Sequence, residues 1–419
     1  MVEVERTGGI EEILRRLLKY ADRVYGLSEM IRQVGDTRKG EGEYQTPAVA
    51  RGLLVMLLAR VGSFNALEQH QWGGFAKRWV GGRLPKADQM GRITASVETK
   101  DLRVVSRKLI RKMKRNKAFR KAFEEGRGQV VVDGHEISAS FLRCCPDCLE
   151  RTIHMSEEDR VQYYHRCVTA MWVCGEWTIL LDMEMQAGGE DEVACSVRCL
   201  ERVIRDYGRS FDKVVADSLY ARAPFFKMCL DYGKDAMAVL KDERREVLRD
   251  AEGLMDKMTP EQWEEDGKVY RCWDLEGFES WDAMDRPVRV VRTVETQTIR
   301  RQKDGRLEVK TAGWWWVMTL SKEKFPSRAA VKGGHRRWAV ENEGFNELVN
   351  EWHADHVYKH DVNAMTVIWL LLFVAYNLFH AFIRLNVKAA MRIDKSIRYW
   401  VDRIKANFYA GSDIIPDTS

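Results

Sequence analysis

Residues 364–383, AMTVIWLLLFVAYNLFHAFI, are twenty consecutive positions without an aspartate, glutamate, lysine or arginine. Such a run must leave water. It is long enough to span a bilayer, and it also suits a helix buried between layers of protein. Asn377 and His380 interrupt it, no second such run exists, and the flanks at 359–361 and 384–388 mix charges only weakly. Burial inside the protein is therefore expected, with no membrane partner.

The 419 residues suggest two or three domains. With 45% hydrophobic and 31% charged residues, the composition is that of a globular chain, neither disordered nor fibrous. The 68 basic and 63 acidic side chains leave a formal charge of only +5, so a nucleic-acid role must rest on where the charge sits. Nine cysteines, odd in number and irregularly spaced, and a charged stretch at 2–16 where a secretory signal would lie, suit a reducing cytoplasm.

Residues 1–125 read as helical, with apolar residues at three- and four-residue spacing over 10–20, 46–61 and 102–123. The composition changes at 126–128. A short apolar strand, QVVVD, occupies 129–133, and 163–174 and 177–185 form a hairpin about the turn Gly175-Glu176. A helix over 190–207, with acidic residues at the end where its dipole favours them, leads to a strand at 213–217, a helix at 221–232 and a strand at 235–240. Residues 241–313 break this rhythm as a polar, β-rich insertion. A strand at 314–320, a helix at 336–352 and the apolar helix follow. The fold class is α/β: a mixed sheet with flanking helices, a β-rich insertion and an all-α N-terminal region.

Asp133 and Asp217 each end an apolar strand, and carboxylates at the carboxyl ends of core strands lie at the mouth of an open sheet. Two such groups can share hard cations, because Mg²⁺ takes oxygen ligands and keeps several waters. Glu341 on a later helix completes a set suited to two metal ions and phosphodiester chemistry. Taken alone, aspartate at a strand end is more often a turn or cap residue.

Four blocks carry a family resemblance: Pro85-Lys86-Ala87-Asp88, VVVDGHE at 130–136, VVADSLYARAPF at 214–225, and RWAVENEGFNEL at 337–348. In this order they resemble the DDE transposases of bacterial insertion sequences, specifically the group named after insertion sequence four, over about residues 45–385. The final block resembles the motif Y-x2-R-x3-E-x6-K. Arg337 and Glu341 match it, whereas Gly334 and Leu348 stand at the tyrosine and lysine positions. Arg336, Lys332 and His335 are the nearby replacements for the lost phosphate contacts.

The resemblance implies an RNase H-like catalytic core in two parts, 126–240 and 314–352. Around it lie a helical DNA-binding region at 1–125, the insertion at 241–313 and a helical C-terminal region at 353–419. It implies cleavage at transposon ends and transfer of the freed 3′-hydroxyl into target DNA by Asp133, Asp217 and Glu341, with two Mg²⁺ ions that Mn²⁺ can replace. The implied partners are terminal inverted repeats, target DNA and a second copy of the chain in the synaptic complex. The implied setting is a prokaryotic cytoplasm, at the nucleoid when DNA is bound. A transposase-derived DNA-binding protein with weak or no catalysis is the alternative that Gly334 and Leu348 leave open. Relatives hold a flipped base on a tryptophan of the insertion, a role for which Trp263, Trp273 and Trp281 are candidates, as is ordinary packing.

Between Arg103 and Lys121 stand ten basic residues and no acidic one. Arg107, Arg111, Lys114 and Arg115 share a helix side and can track a phosphate backbone. Arg336-Arg337-Trp338 is a second DNA-binding candidate, although Arg337 and Glu341 also have the spacing of an ordinary helical ion pair.

Cys145-Pro-Asp-Cys148 has the spacing of half a zinc site. With ligands drawn from downstream, a structural Zn²⁺ would be held by Cys145, Cys148, His154 and His165; free cysteines in a loop are the other reading. His353, Asp355, His356 and His360 form a further polar cluster, which a loop between helices also explains.

Overall fold

The structure is a computed structural model that describes residues 13–40, 42–70, 74–124, 126, 128–156, 158–241, 245–301, 303, 305–338 and 344–410. The N-terminal part is helical, with longer helices at Thr46–Leu58, Ala87–Ser96 and Thr99–Arg115. The Thr99–Arg115 helix buries Leu102, Val105, Ser106, Leu109, Ile110 and Met113, the three- and four-residue stripe that the sequence shows. It stops at Asn116, because Lys117 turns left-handed at φ 60°, and a separate short helix, Arg120–Glu124, follows.

Ten strands form one sheet: β1 Gln129–Ser140, β2 Leu149–His154, β3 Asp159–Cys174, β4 Trp177–Met185, β5 Lys213–Ala216, β6 Asp235–Val239, β7 Glu261–Glu265, β8 Lys268–Phe278, β9 Val288–Arg300 and β10 Leu307–Met318. The central order is β4-β3-β1-β5-β6. The first three are antiparallel, and β5 and β6 run parallel to β1. Three antiparallel strands beside two parallel ones are the RNase H-like arrangement. The Glu192–Tyr207 helix makes the crossover from β4 to β5 and packs on β3 and β4.

The β-rich segment after β6 does not form a sheet of its own. β10 pairs antiparallel with β6 and then with β9, so β7 to β10 extend the central sheet outward. The strand expected at 314–320 is the last part of the twelve-residue β10, whose first half stands out beyond the core.

Of the helix expected over 336–352, Trp338 and residues 344–352 are in helical backbone, while Arg336 and Arg337 form a turn. One helix spans Ser327–His335 and a second Asn346–Trp352, while residues 339–343, Glu341 among them, lie outside the described residues.

The apolar run forms the helix Val362–Ala381, buried on all sides. It packs against β4 on one side and against the Thr46–Leu58, Ala87–Ser96 and Thr99–Arg115 helices on the other, joining the sheet to the helical layer. Asp361 starts it by accepting a hydrogen bond from the backbone of Ala364 at 2.8 Å. Asn377, fully buried, meets the outer edge of β4. Its Oδ1 accepts from the N–H of Leu180 at 3.0 Å, and its Nδ2 donates to the carbonyl of Leu180 at 2.8 Å. One amide thus takes the place of a neighbouring strand. Replacing Asn377 by Leu leaves both groups of Leu180 buried and unpaired, at a cost of about 2–4 kcal/mol. Urea unfolding should show that loss, and an unchanged midpoint would refute the role.

Candidate functional site

β1 and β5 pair in parallel with Gln129 beside Lys213, Val130 beside Val214 and Val131 beside Val215. Two residues further along the same register, Asp133 stands level with Asp217, which lies just past the carboxyl end of β5; β1 does not end at Asp133 as expected but runs on to Ser140, held by its ladder with β3. Each carboxylate has one oxygen oriented by backbone: the N–H of Gly134 donates to Asp133 Oδ1 at 2.9 Å, and that of Leu219 to Asp217 Oδ1 at 2.8 Å. Both remain partly exposed at the sheet's mouth. Tyr220, buried beside them, has its phenol pKa raised by burial, then by Glu192, Asp133 and Asp217, so it stays protonated.

The acid that sequence reasoning missed is Glu192. Its place in the first helical turn suggested a solvent-facing dipole contact, but it turns inward and is 6% exposed. It accepts a hydrogen bond from the Tyr220 hydroxyl at 2.9 Å and pairs with Arg166 at 2.7 Å. Its carboxylate lies where a Cβ on Gly134 would be, 2.2 Å from that position, so the residue after Asp133 has to be glycine for this approach. Neighbouring Asp191 caps the same helix and pairs with Arg222 at 2.6 Å, tying the helix start to the loop after Asp217. The acidic pair before a helix was the available signal. Its inward direction depends on contacts to β1 and to that loop.

From the final block, Arg337 reaches the site. Its Nη1 lies 3.7 Å from Asp133 Oδ2, with the side chain 10% exposed. Arg336 points elsewhere, donating to the carbonyl of Gly175, and Trp338 packs edge-on against Trp314 at 4.5 Å. His335 pairs with Glu295 and sits among Trp314, Trp316 and Trp338, which leaves exposed Lys332 as the remaining nearby replacement.

The two departures from the motif that the final block resembles have physical causes, one steric and one of solvation. A Cβ on Gly334 would lie 2.4 Å from the Trp316 ring and 2.9 Å from Met237, so no side chain fits there. Leu348 is fully buried, in a place where a lysine ammonium would lose its water.

The candidate DNA-contacting residues are partly occupied within the protein. Arg107 pairs with Asp206 at 2.7 Å, Arg111 reaches the Asp206 carbonyl at 3.5 Å, and Lys114 donates to Ser210 at 3.0 Å; Arg115 is exposed. Arg103 joins a buried cluster in which it and Arg202 hold Asp182 at 2.9 and 2.8 Å. Half of this basic helix face therefore anchors the helix to the sheet layer. Of the insertion tryptophans, Trp263 stacks on Tyr270, Trp273 donates to the Met258 carbonyl, and Trp281 packs on Phe226.

Cys145, Cys148 and His165 come together as the sequence suggests, but His154 does not join them. It is 81% exposed and pairs with Asp159 across the β2–β3 turn at 2.9 Å. The fourth member is His360, whose Nε2 lies 3.2 Å from that of His165 and 3.4 Å from Cys148 Sγ. The available signal was its H-x3-H spacing with His356, which itself packs on Tyr358.

Two predictions follow from the final block. Gly334→Ala should cost about 1–3 kcal/mol by overpacking, and less in a Trp316→Phe background because the two residues share one space; denaturant unfolding of the cycle reads this directly. Glu347, beside Leu348, is held below its ordinary carboxyl pKa of 4.5. Burial opposes ionisation, but the hydrogen bonds from His380 and Trp352 and the Arg60 charge outweigh it. A depressed carboxyl stabilises the fold above its unfolded-state pKa and loses that contribution as pH falls through the folded value. Glu347→Gln should therefore lower stability at pH 7 and flatten its decline below about pH 4.5; equal pH slopes for variant and parent would refute this.

A comparison with curated proteins finds no match. The family model described as the transposase DDE domain matches residues 129–378, from the first residue of β1 into the buried C-terminal helix, and so covers both aspartates and the final block. A match over more than half of the chain, on an RNase H-like sheet that sets two aspartates side by side, makes this protein a member of the DDE transposase family.

Proposed function

We propose that the chain is an active transposase of the insertion-sequence-four-like group, which cuts DNA at transposon ends and joins the freed 3′-hydroxyl to target DNA. The observation that carries this is the parallel register that sets Asp133 level with Asp217, with Arg337 of the final block against Asp133. Two hard oxygen donors on adjacent strands fit Mg²⁺ or Mn²⁺. Glu341 is the proposed third ligand. Asp133, Asp217 and Glu341 would hold a pair of such ions, which would supply activation of the attacking oxygen and stabilisation of the leaving one.

The chain's own residues do the rest. Asp133 and Asp217 are each oriented by a backbone N–H group. Tyr220 and Arg166 fix Glu192 against Gly134, which keeps β1 in place beside Asp133. Arg337 supplies a guanidinium within reach of a scissile phosphate, a geometry suited to bidentate recognition. Exposed Arg111, Lys114 and Arg115 offer sequence-independent phosphate contacts, and a second copy completes the synaptic complex.

On a cognate end sequence, Asp133→Ala, Asp217→Ala and Glu341→Ala should each abolish Mg²⁺-dependent nicking while leaving DNA binding within about twofold. Full nicking by any of the three removes the assignment. Salt-sensitive binding with no nicking by the parent chain, in Mg²⁺ or Mn²⁺, would replace it with a non-catalytic DNA-binding role.

A further inference from the structure

The Cys145–Cys148 turn lies between β1 and β2, His165 is on β3, and His360 stands just before the Val362–Ala381 helix. Cys145 Sγ and Cys148 Sγ are 3.8 Å apart, His165 Nε2 is 3.3 Å from each, and the two imidazole nitrogens are 3.2 Å apart. All four atoms lie within 4.8 Å of one another. A tetrahedral Zn²⁺ with ordinary bond lengths sets its sulfurs about 3.8 Å apart, sulfur and nitrogen about 3.5 Å apart, and nitrogens about 3.3 Å apart. The cluster has that shape.

Hydrogen bonding does not account for it. His165 Nε2 has three neighbours at 3.2–3.3 Å, Cys145 Sγ, Cys148 Sγ and His360 Nε2. One ring nitrogen offers a single proton or a single lone pair, enough for one of them. A cation at the centre satisfies all four lone pairs together. The backbone N–H of Cys145 also donates to Cys148 Sγ at 3.2 Å, an arrangement that favours a thiolate.

We propose that Cys145, Cys148, His165 and His360 bind one structural Zn²⁺. Two thiolates neutralise the ion's charge, and the two thiol protons are released to solvent on binding. Sulfur and imidazole select zinc over Mg²⁺ or Ca²⁺, and four protein ligands leave no open position for catalysis. The ion joins segments 195 and 212 residues apart in sequence. His165 stands opposite Ser138 in the ladder that carries Asp133, and His360 adjoins the helix cap Asp361. The chain from Arg337 to His360, which includes Glu341, is thereby tied to β1 at one end through Asp133 and to β3 at the other through zinc.

The test is metal content of the full chain, purified without a polyhistidine tag and dialysed against a weak chelator. The parent should retain one Zn²⁺ per chain, and Co²⁺ in its place should give the visible absorption of a tetrahedral two-thiolate site. His360→Ala and Cys148→Ser should fall below about a tenth of that content, whereas His154→Ala should keep all of it. Should either ligand variant fail to fold, the parent still decides the matter: a mercurial that titrates its thiols must release the zinc into a chromophoric chelator. Zinc-free parent with no cobalt spectrum, full zinc in His360→Ala, or loss of zinc in His154→Ala would each overturn the proposal. Metal content is read independently of DNA cleavage, and Asp217→Ala should retain its zinc, so the two readings can fail separately.

Discussion

Three rungs of parallel pairing between β1 and β5 set the geometry on which everything else in this protein rests. Side chains alternate between the faces of a sheet, so a slip of one residue would send Asp217 to the opposite face from Asp133. The short β5 alone cannot guarantee that register. Its neighbours fix it: β6 pairs along its other side in step, and Gln129 at the start of β1 reaches across to the Gly333 carbonyl. Above the pair, the Glu192–Tyr207 helix is locked by Arg166 to β3, the neighbour of β1, and by Tyr220 and Arg222 to the loop after Asp217. The acidic site is thus built from short elements whose alignment is determined several times over.

Much of this was legible from local pattern. An apolar strand that ends in aspartate, a hairpin about Gly175-Glu176, and one uncharged helix are signals that need no distant information, and each has its counterpart in β5, the β3–β4 hairpin and the Val362–Ala381 helix, whereas β1 runs on past Asp133 to Ser140. What was illegible depends on partners far along the chain. Nothing near Glu192 announces that it will lie on Gly134, and His360 meets Cys148 only because the sheet and the C-terminal helix pack together. The separate Ser327–His335 helix was hidden for a similar reason: Gly333-Gly334 pack it directly on Trp316 and Phe325, and it ends just ahead of the helix read at 336–352.

Charge shows the same division between composition and use. The basic run from Arg103 to Lys121 reads as one surface, yet Arg103 is directed at Asp182 on β4 and Arg107 at Asp206 on the Glu192–Tyr207 helix. Ion pairs buried this way are held in fixed geometry by further hydrogen bonds, as Arg103 shows by also reaching the Met183 carbonyl. Arginine placed so that its stem packs and its head pairs can orient two layers, which a count of positive charge cannot reveal.

An open sheet of ten strands faces a hazard that a closed barrel does not, because each bare edge is a template for another chain. Here, among the described residues, the edges are blunted in three different ways. Asn377 and its helix cover β4, the six-residue β2 carries Glu150 and Arg151, and the five-residue β7 at the far end presents Glu261, Glu264 and Glu265. A further chain therefore finds little strand to add to at these three edges, and there the long sheet can serve as scaffold without inviting the stacking that would precipitate it.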